Sequence, residues 1–195
     1  MQQADGLCPD DQLSDAMAAL GTDPEGAILR TQALAADFPN DARVQFLHGS
    51  LLAGSQRYAE ADGFMQKAVD LEPNYHIARY QLGFLKFTSG DVVGAATAWE
   101  PLGALSADDP LRLFVVGHIH LAQDQFQDAL AAFRQGVRRN ELYPPVNGDI
   151  ELLIARIEET LASGAASEAT PVDESEEMSA AHWLLKRHDD GQTRH

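Results

Sequence analysis

The residues best suited to chemistry are thinly spread through this chain, and their spacing argues against most catalytic uses. His118 and His120 lie two apart on a stretch of helical periodicity, about 200° apart around its axis, so they face different ways and cannot share a metal ion. His48 sits beside Gly49 on an apolar helix face, the setting of a hydrogen-bonded interior imidazole rather than a general base. Ser50 follows a glycine, but Gly49-Ser50-Leu51-Leu52 continues a helix and lacks both the strand before and the glycine after that a nucleophile elbow requires. No glycine loop of the phosphate-cradling kind is present. The pairs Asp10-Asp11, Asp108-Asp109 and Asp189-Asp190 fall at helix starts or in the tail, where capping and solvation account for them. Cys8 is the single cysteine; no cation near it in sequence would lower its pKa, and it has no partner for an internal disulfide. The reading is of a protein that is not an enzyme and uses neither a metal nor an organic cofactor.

Composition narrows the partners. The chain has 195 residues, 45% of them hydrophobic, which suits one domain of ordinary size with some tail to spare. Acidic residues outnumber basic ones 30 to 14, and a formal charge of −16 repels both phosphate backbones and anionic membrane surfaces. Nucleic acid is excluded as a ligand. No apolar run approaches the roughly 18 residues a membrane helix needs, and the first residues lack the basic and apolar blocks of a signal peptide, so no membrane insertion and a cytoplasmic location are expected.

The elements that would position any site repeat along the chain. Gly49, Gly83 and Gly117 stand 34 residues apart, as do Ala61, Ala95 and Ala129, and the large residues Met65, Trp99 and Phe133. Each period contains two helices. The first pair is predicted over Asp41 to Gly54 and Arg57 to Leu71, with Val44, Leu47, Leu51 and Leu52 at helical spacing and Pro73-Asn74 stopping the chain. Asn74 is the expected N-cap of the next pair, Tyr75 to Ser89 and Asp91 to about Ala104. In the third pair Asp109 caps and Pro110 suits the first position of Leu111 to Ala122, and Gln125 to Arg139 returns. Pro101 falls inside a returning helix and predicts a kink or an early end there. Small residues at the crossing let the two backbones approach while Met65, Trp99 or Phe133 fills the gap beside them.

Gly49 with Tyr58-Ala59-Glu60-Ala61, Met65, Ala68 and Pro73 resembles a tetratricopeptide repeat, as do Leu82-Gly83 with Gly90, Ala95 and Trp99, and Gly117 with Phe126, Ala129 and Phe133. The resemblance covers three full units, 42–75, 76–109 and 110–143, behind a disordered 1–9 and a degenerate unit at 10–41. It implies an all-α fold, a right-handed α-solenoid of antiparallel helix hairpins. Two columns depart from the family: Gln45, Arg79 and Leu113 replace an aromatic residue early in the leading helix, and Leu52, Lys86 and His120 replace a tyrosine. A capping helix follows within 144–163, predicted over Asp149 to Leu161 from Ile150, Leu153, Ile154 and Ile157.

In this family the leading helices line the concave side, which places Arg43, Phe46 and Ser50, then Ile77, Tyr80, Phe84 and Phe87, then Leu111, Phe114, His118 and Leu121 along one groove. The resemblance therefore implies protein binding: an adaptor or chaperone-like module whose aromatic-lined groove takes a peptide or helical segment of a partner. The alternatives are that these rings fill the interior, or that the chain is a self-associating assembly subunit of a larger bacterial complex. The lysine and asparagine clamp that holds the carboxyl end of heat-shock chaperones is missing from these positions. Beyond the capping helix, 164–178 is small, polar and acidic, and 179–195 carries the bulky cluster Trp183, Leu184 and Leu185, which could occupy the groove of its own chain or of a second copy.

Overall fold

The computed structural model describes residues 6–163, so the tail with Trp183, Leu184 and Leu185 lies outside the described residues. Among the described residues nine α-helices follow one another: α1 (Asp10–Ala19), α2 (Pro24–Asp37), α3 (Ala42–Gly54), α4 (Tyr58–Leu71), α5 (His76–Thr88), α6 (Val92–Trp99), α7 (Pro110–Ala122), α8 (Phe126–Arg139) and α9 (Pro144–Ala162). Among the described residues there is no strand. The chain divides between Ala98 and Trp99 into two compact units.

The helix starts are chemically explicit where aspartate precedes them. Asp23, Asp41 and Asp109 accept backbone N–H groups of Gly26, Arg43 and Leu111, and Pro24 and Pro110 follow at positions where no N–H is needed. Asn74 does not cap: α5 begins after Tyr75, with no side-chain cap bond. Pro101 acts as expected. The α-helix ends at Trp99, and Glu100–Ala104 continues as a 3-10 turn that still buries Leu102. At the other end α9 starts earlier than its apolar spacing suggests, because Pro144 and Pro145 occupy the first turn.

The reversals inside three hairpins share one backbone. Gln56, Gly90 and Asp124 have φ of 61°, 84° and 55°. The N–H groups of Arg57, Asp91 and Gln125 close on the carbonyls of Leu52, Lys86 and His120, each at 2.9 Å. This is the Schellman arrangement, in which one left-handed residue turns the chain and satisfies the last carbonyls of the helix.

Within each unit the hairpins meet through absent side chains. In the first, a Cβ on Gly49 of α3 would lie 2.9 Å from Met65 Cγ of α4, in a core with Leu52, Ala61 and Ala68. The second unit interlocks both ways: the Phe133 ring of α8 occupies the place of a side chain on Gly117, and the Phe114 ring of α7 does the same over Gly136. Both rings are fully buried. Replacing Gly117 by Ala is therefore expected to cost about 1–3 kcal/mol by overpacking. Gly63, in α4 with nothing near its absent Cβ, should instead gain up to about 1 kcal/mol on the same change, from helix propensity alone. Urea denaturation of the two variants reads the opposite signs directly.

Candidate functional site

The eleven residues predicted to line one groove divide sharply by exposure. Leu111, Phe114, His118 and Leu121 on α7 are buried to 1% exposure or less. Phe114 is committed to the slot over Gly136. His118 stacks on Trp99, with ring centres 5.5 Å apart and planes within 9°, and meets the Phe133 ring edgewise at 5.0 Å. For these four the expectation of an accessible groove is corrected: they are interior residues of the second unit. The cause is visible two periods earlier, where Ala68 stands in place of Gly136 and Phe46 in place of Phe114. With a methyl in the slot, Phe46 stays half-buried and sets its ring edgewise against Tyr75 at 5.2 Å.

In the first unit Ile77, Tyr80 and Phe87 are also buried, whereas Arg43, Phe46, Ser50 and Phe84 are half-buried. Ser50 on α3 donates a hydrogen bond to Gln81 Oε1 on α5 at 3.0 Å, which ties the two helices at the level of Phe84. The Phe84 ring lies nearly parallel to that of Tyr80, 6.4 Å away. The half-buried residues of α3 and α5 are therefore Arg43, Phe46, Ser50, Gln81 and Phe84, with the Ser50–Gln81 hydrogen bond joining the two helices. A separate cleft of about 450 Å³ opens at Tyr58, Ala59, Asp62, Leu85 and Lys86. Lys86 lies two residues from Phe84 and so on the far side of α5.

Arg43 has a different employment from the one its spacing suggests. Its guanidinium donates to Asp41 Oδ2 at 2.7 Å, to Asp10 Oδ1 at 2.6 Å and to the carbonyl of Cys8 at 2.8 Å, while the Cys8 N–H donates to Asp41 Oδ2 at 2.8 Å. Residue 8, placed by sequence in a disordered leader, is thus buried against Ala35 and Val44. Burial pushes the Asp41 carboxyl up, but hydrogen bonds from Arg43 and from the Cys8 and Arg43 N–H groups outweigh it and leave the group below its ordinary range. Burial raises the Cys8 thiol, with Asp41 adding to it, so no activated thiolate forms here despite the nearby guanidinium.

The two columns that depart from the repeat pattern are rebuilt with polar heads. Gln45 Nε2 reaches the carbonyls of Ala35, Phe38 and Pro39 at 3.3 to 3.5 Å, and Arg79 Nε reaches that of Pro73 at 2.5 Å, while Leu113 is simply buried. Where the family has tyrosine, Leu52 is fully buried, Lys86 pairs with Asp62 at 2.6 Å, and His120 bonds Gln125 Oε1 at 2.6 Å. Among the described residues no group of three or more His, Cys, Asp or Glu side chains could hold a metal ion, and no helix is long and apolar enough to cross a membrane.

Comparison with known proteins agrees with this architecture. Solved structures of similar fold include MamA, with a TM-score of 0.54 and 18% identity over 67% of this chain and 77% of that one. Another is the segment of MamA running from position 41 to the end, from Desulfovibrio magneticus RS-1, with a TM-score of 0.55 and 16% identity over 95% of this chain and 97% of that one. A third is the MamA RS-1 ArsTM double mutant, at 0.54 and 16% over 94% and 96%. No protein-family model and no curated protein sequence matches the chain. At these identities the likeness speaks to fold alone: the protein is an all-α, tetratricopeptide-like helical solenoid.

Buried histidines give the fold a pH dependence. Burial holds the His118 imidazole down to about 3, and burial followed by the Arg57 charge lowers His48, whose Nδ1 lies 2.9 Å from Thr31 Oγ1. His118 is thereby kept neutral in the folded state, so below the ordinary value of 6.5 the unfolded chain binds a proton there that the native one does not, and the lowered His48 acts in the same direction. Stability contributed by neutral His118 is full above that value and is lost progressively as the pH falls from 6.5 toward 3. Between pH 7 and pH 5 this amounts to about 2 kcal/mol. Melting temperatures at the two pH values should differ less in His118→Phe than in the unsubstituted chain; an equal difference would place the proton uptake elsewhere.

Proposed function

We propose that this protein is a non-catalytic protein–protein interaction module, an adaptor or chaperone-like protein that takes a short apolar peptide or helical segment of a partner on the α3–α5 face. The observation that carries the reading is the half-buried state of Phe46 and Phe84 beside the Ser50–Gln81 hydrogen bond. Half-buried aromatic rings lose little entropy on docking a further apolar group, which is how a small surface becomes a hot spot. Ile77, Tyr80 and Phe87 of α5 are buried. The tetratricopeptide-like fold is consistent with protein partners, since such hairpins present helix faces rather than a closed pocket. A peptide library displayed against the full chain should enrich sequences with an aromatic or branched apolar anchor. Their affinity should fall roughly tenfold or more in Phe84→Ala, the scale of one hot-spot ring. Enrichment that ignores this substitution would move the interface off α3–α5.

A second reading, a self-associating assembly subunit, has its own support at the start of the chain. Met17 and Leu29 are 59% and 66% exposed on α1 and α2, and Leu20, just after α1, is exposed as well. Exposed apolar side chains of this kind on the first two helices can meet a second copy. Gel filtration over a concentration series is expected to show association that Met17→Lys with Leu29→Lys abolishes. Elution unaffected by concentration would leave the adaptor reading alone.

A further inference from the structure

One residue of the segment before α1 is gripped while its neighbours are not. Gly6, Leu7, Pro9 and Asp10 are all exposed, whereas Cys8 among them is buried. Its side chain sits with Ala35 and Val44 in a small apolar cluster, against which Leu13, Leu34 and Phe38 pack. Its backbone is held by a pair of side chains at the start of α3. The N–H donates to Asp41 Oδ2 at 2.8 Å, and the carbonyl accepts from Arg43 Nη2 at 2.8 Å. Those two atoms are themselves joined at 2.7 Å, so both polar groups of one extended residue meet a linked acceptor and donor. In an antiparallel sheet the residue directly opposite supplies the same pair. Arg43 Nη1 then reaches Asp10 Oδ1 at 2.6 Å, two residues further along.

The clamp belongs to α3 rather than to the segment it holds. Asp41 accepts the Arg43 backbone N–H at 2.9 Å as the helix cap and the Arg43 Nε at 3.1 Å, which fixes the guanidinium fork with Nη1 and Nη2 turned toward residues 8 and 10. The Asp41 side chain is only 1% exposed, so losing the donor at residue 8 would leave a buried carboxylate short of a partner. The occupant is secured far less well. The helix behind it, α1, buries only Ala16 and Ala19 and half-buries Leu13. An element with so little apolar area in the core opens locally well before its unit unfolds.

We propose that the Asp41–Arg43 clamp is a peptide-binding site, filled here by residues 8–10 of the chain itself, and that its ligand in trans is a partner segment with a small apolar residue, a proline and an acidic residue in succession. The site is distinct from the α3–α5 face and goes beyond that reading. What each position meets specifies it. The first must bring an N–H to Asp41 and a side chain small enough to lie against Ala35 and Val44. The second gives the clamp no N–H, so proline is admitted there, and its ring keeps the residue before it extended. The third brings a carboxylate to Arg43. Backbone bonds supply affinity and the flanking side chains supply selectivity, as in other modes that bind extended peptides. A tethered occupant competes at an effective concentration of about millimolar, so the partner enters when the segment opens.

Cys8 is the single cysteine of the chain, so its alkylation by N-ethylmaleimide reads release of the segment in the intact, unsubstituted protein. An acetylated peptide of residues 6–20 bearing Cys8→Ala is expected to raise the alkylation rate severalfold, in proportion to its concentration. The same peptide methylated on the backbone nitrogen of residue 8 lacks the donor for Asp41 and should lose roughly tenfold of that effect. A peptide that also bears Asp10→Ala should be only a few-fold weaker, since its pair with Arg43 is exposed. The acceleration should persist in the Phe84→Ala chain. An alkylation rate indifferent to the peptide would overturn the proposal. So would equal acceleration by the methylated peptide, which would assign the effect to α1 contacts alone. Acceleration abolished by Phe84→Ala would put the peptide on the α3–α5 face, overturning this inference and leaving the earlier reading standing.

Discussion

Antiparallel helices approach closely only where one of them lacks a side chain and the other supplies a large one to fill the space. In this protein the requirement is met by Gly49 against Met65 in the first unit, and reciprocally by Gly117 against Phe133 and Gly136 against Phe114 in the second. The rest of each hairpin follows from that contact. It sets which faces of α3 and α7 turn inward, brings His118 between Trp99 and Phe133, and determines how much ring surface remains outside. A single glycine, Gly136, decides that Phe114 is interior, while Ala68 in the matching place leaves Phe46 half open. The candidate interface is thus a by-product of how completely each hairpin is sealed.

Much of this was legible in the sequence because the contacts repeat as residue types. Columns of Gly, Ala and large apolar residues at a 34-residue interval reveal hairpins, and Pro101 reveals where one helix stops. Other features repeat as conformations and leave no such trace. Gln56, Gly90 and Asp124 form a column as regular as any, yet only one is glycine, since Gln and Asp tolerate the left-handed region when the surrounding hydrogen bonds demand it. The link from Arg43 to Cys8 and Asp10 was hidden for another reason: it joins groups more than thirty residues apart through carbonyl and carboxylate oxygens, and no local pattern marks a carbonyl as an acceptor. Phe114 was misplaced because its fate depends on a glycine in the next helix, outside the column to which it belongs.

The polar substitutions in otherwise apolar columns show how the family pattern bends without breaking. Gln45 and Arg79 stand where an aromatic ring would fill space, and both reach instead for carbonyls in the connection before their helix. Exposed ion pairs such as Arg57 with Glu60 contribute little by comparison. The buried Asp41, with two backbone N–H donors and the Arg43 guanidinium, holds the segment at Cys8 onto α3 and is of a different kind.

The shared geometry of the three reversals limits how this chain can lengthen. Each turn allots a single left-handed residue between the last helical carbonyl it satisfies and the first turn of the returning helix. One added residue would rotate α4 or α8 by about 100° about its own axis. Ala61 or Ala129 would then leave the crossing, and a bulkier neighbour would meet the glycine opposite. Insertions should therefore be tolerated in the connections between hairpins and rejected at Gln56, Gly90 and Asp124, the opposite of what the exposure of these tight corners would suggest.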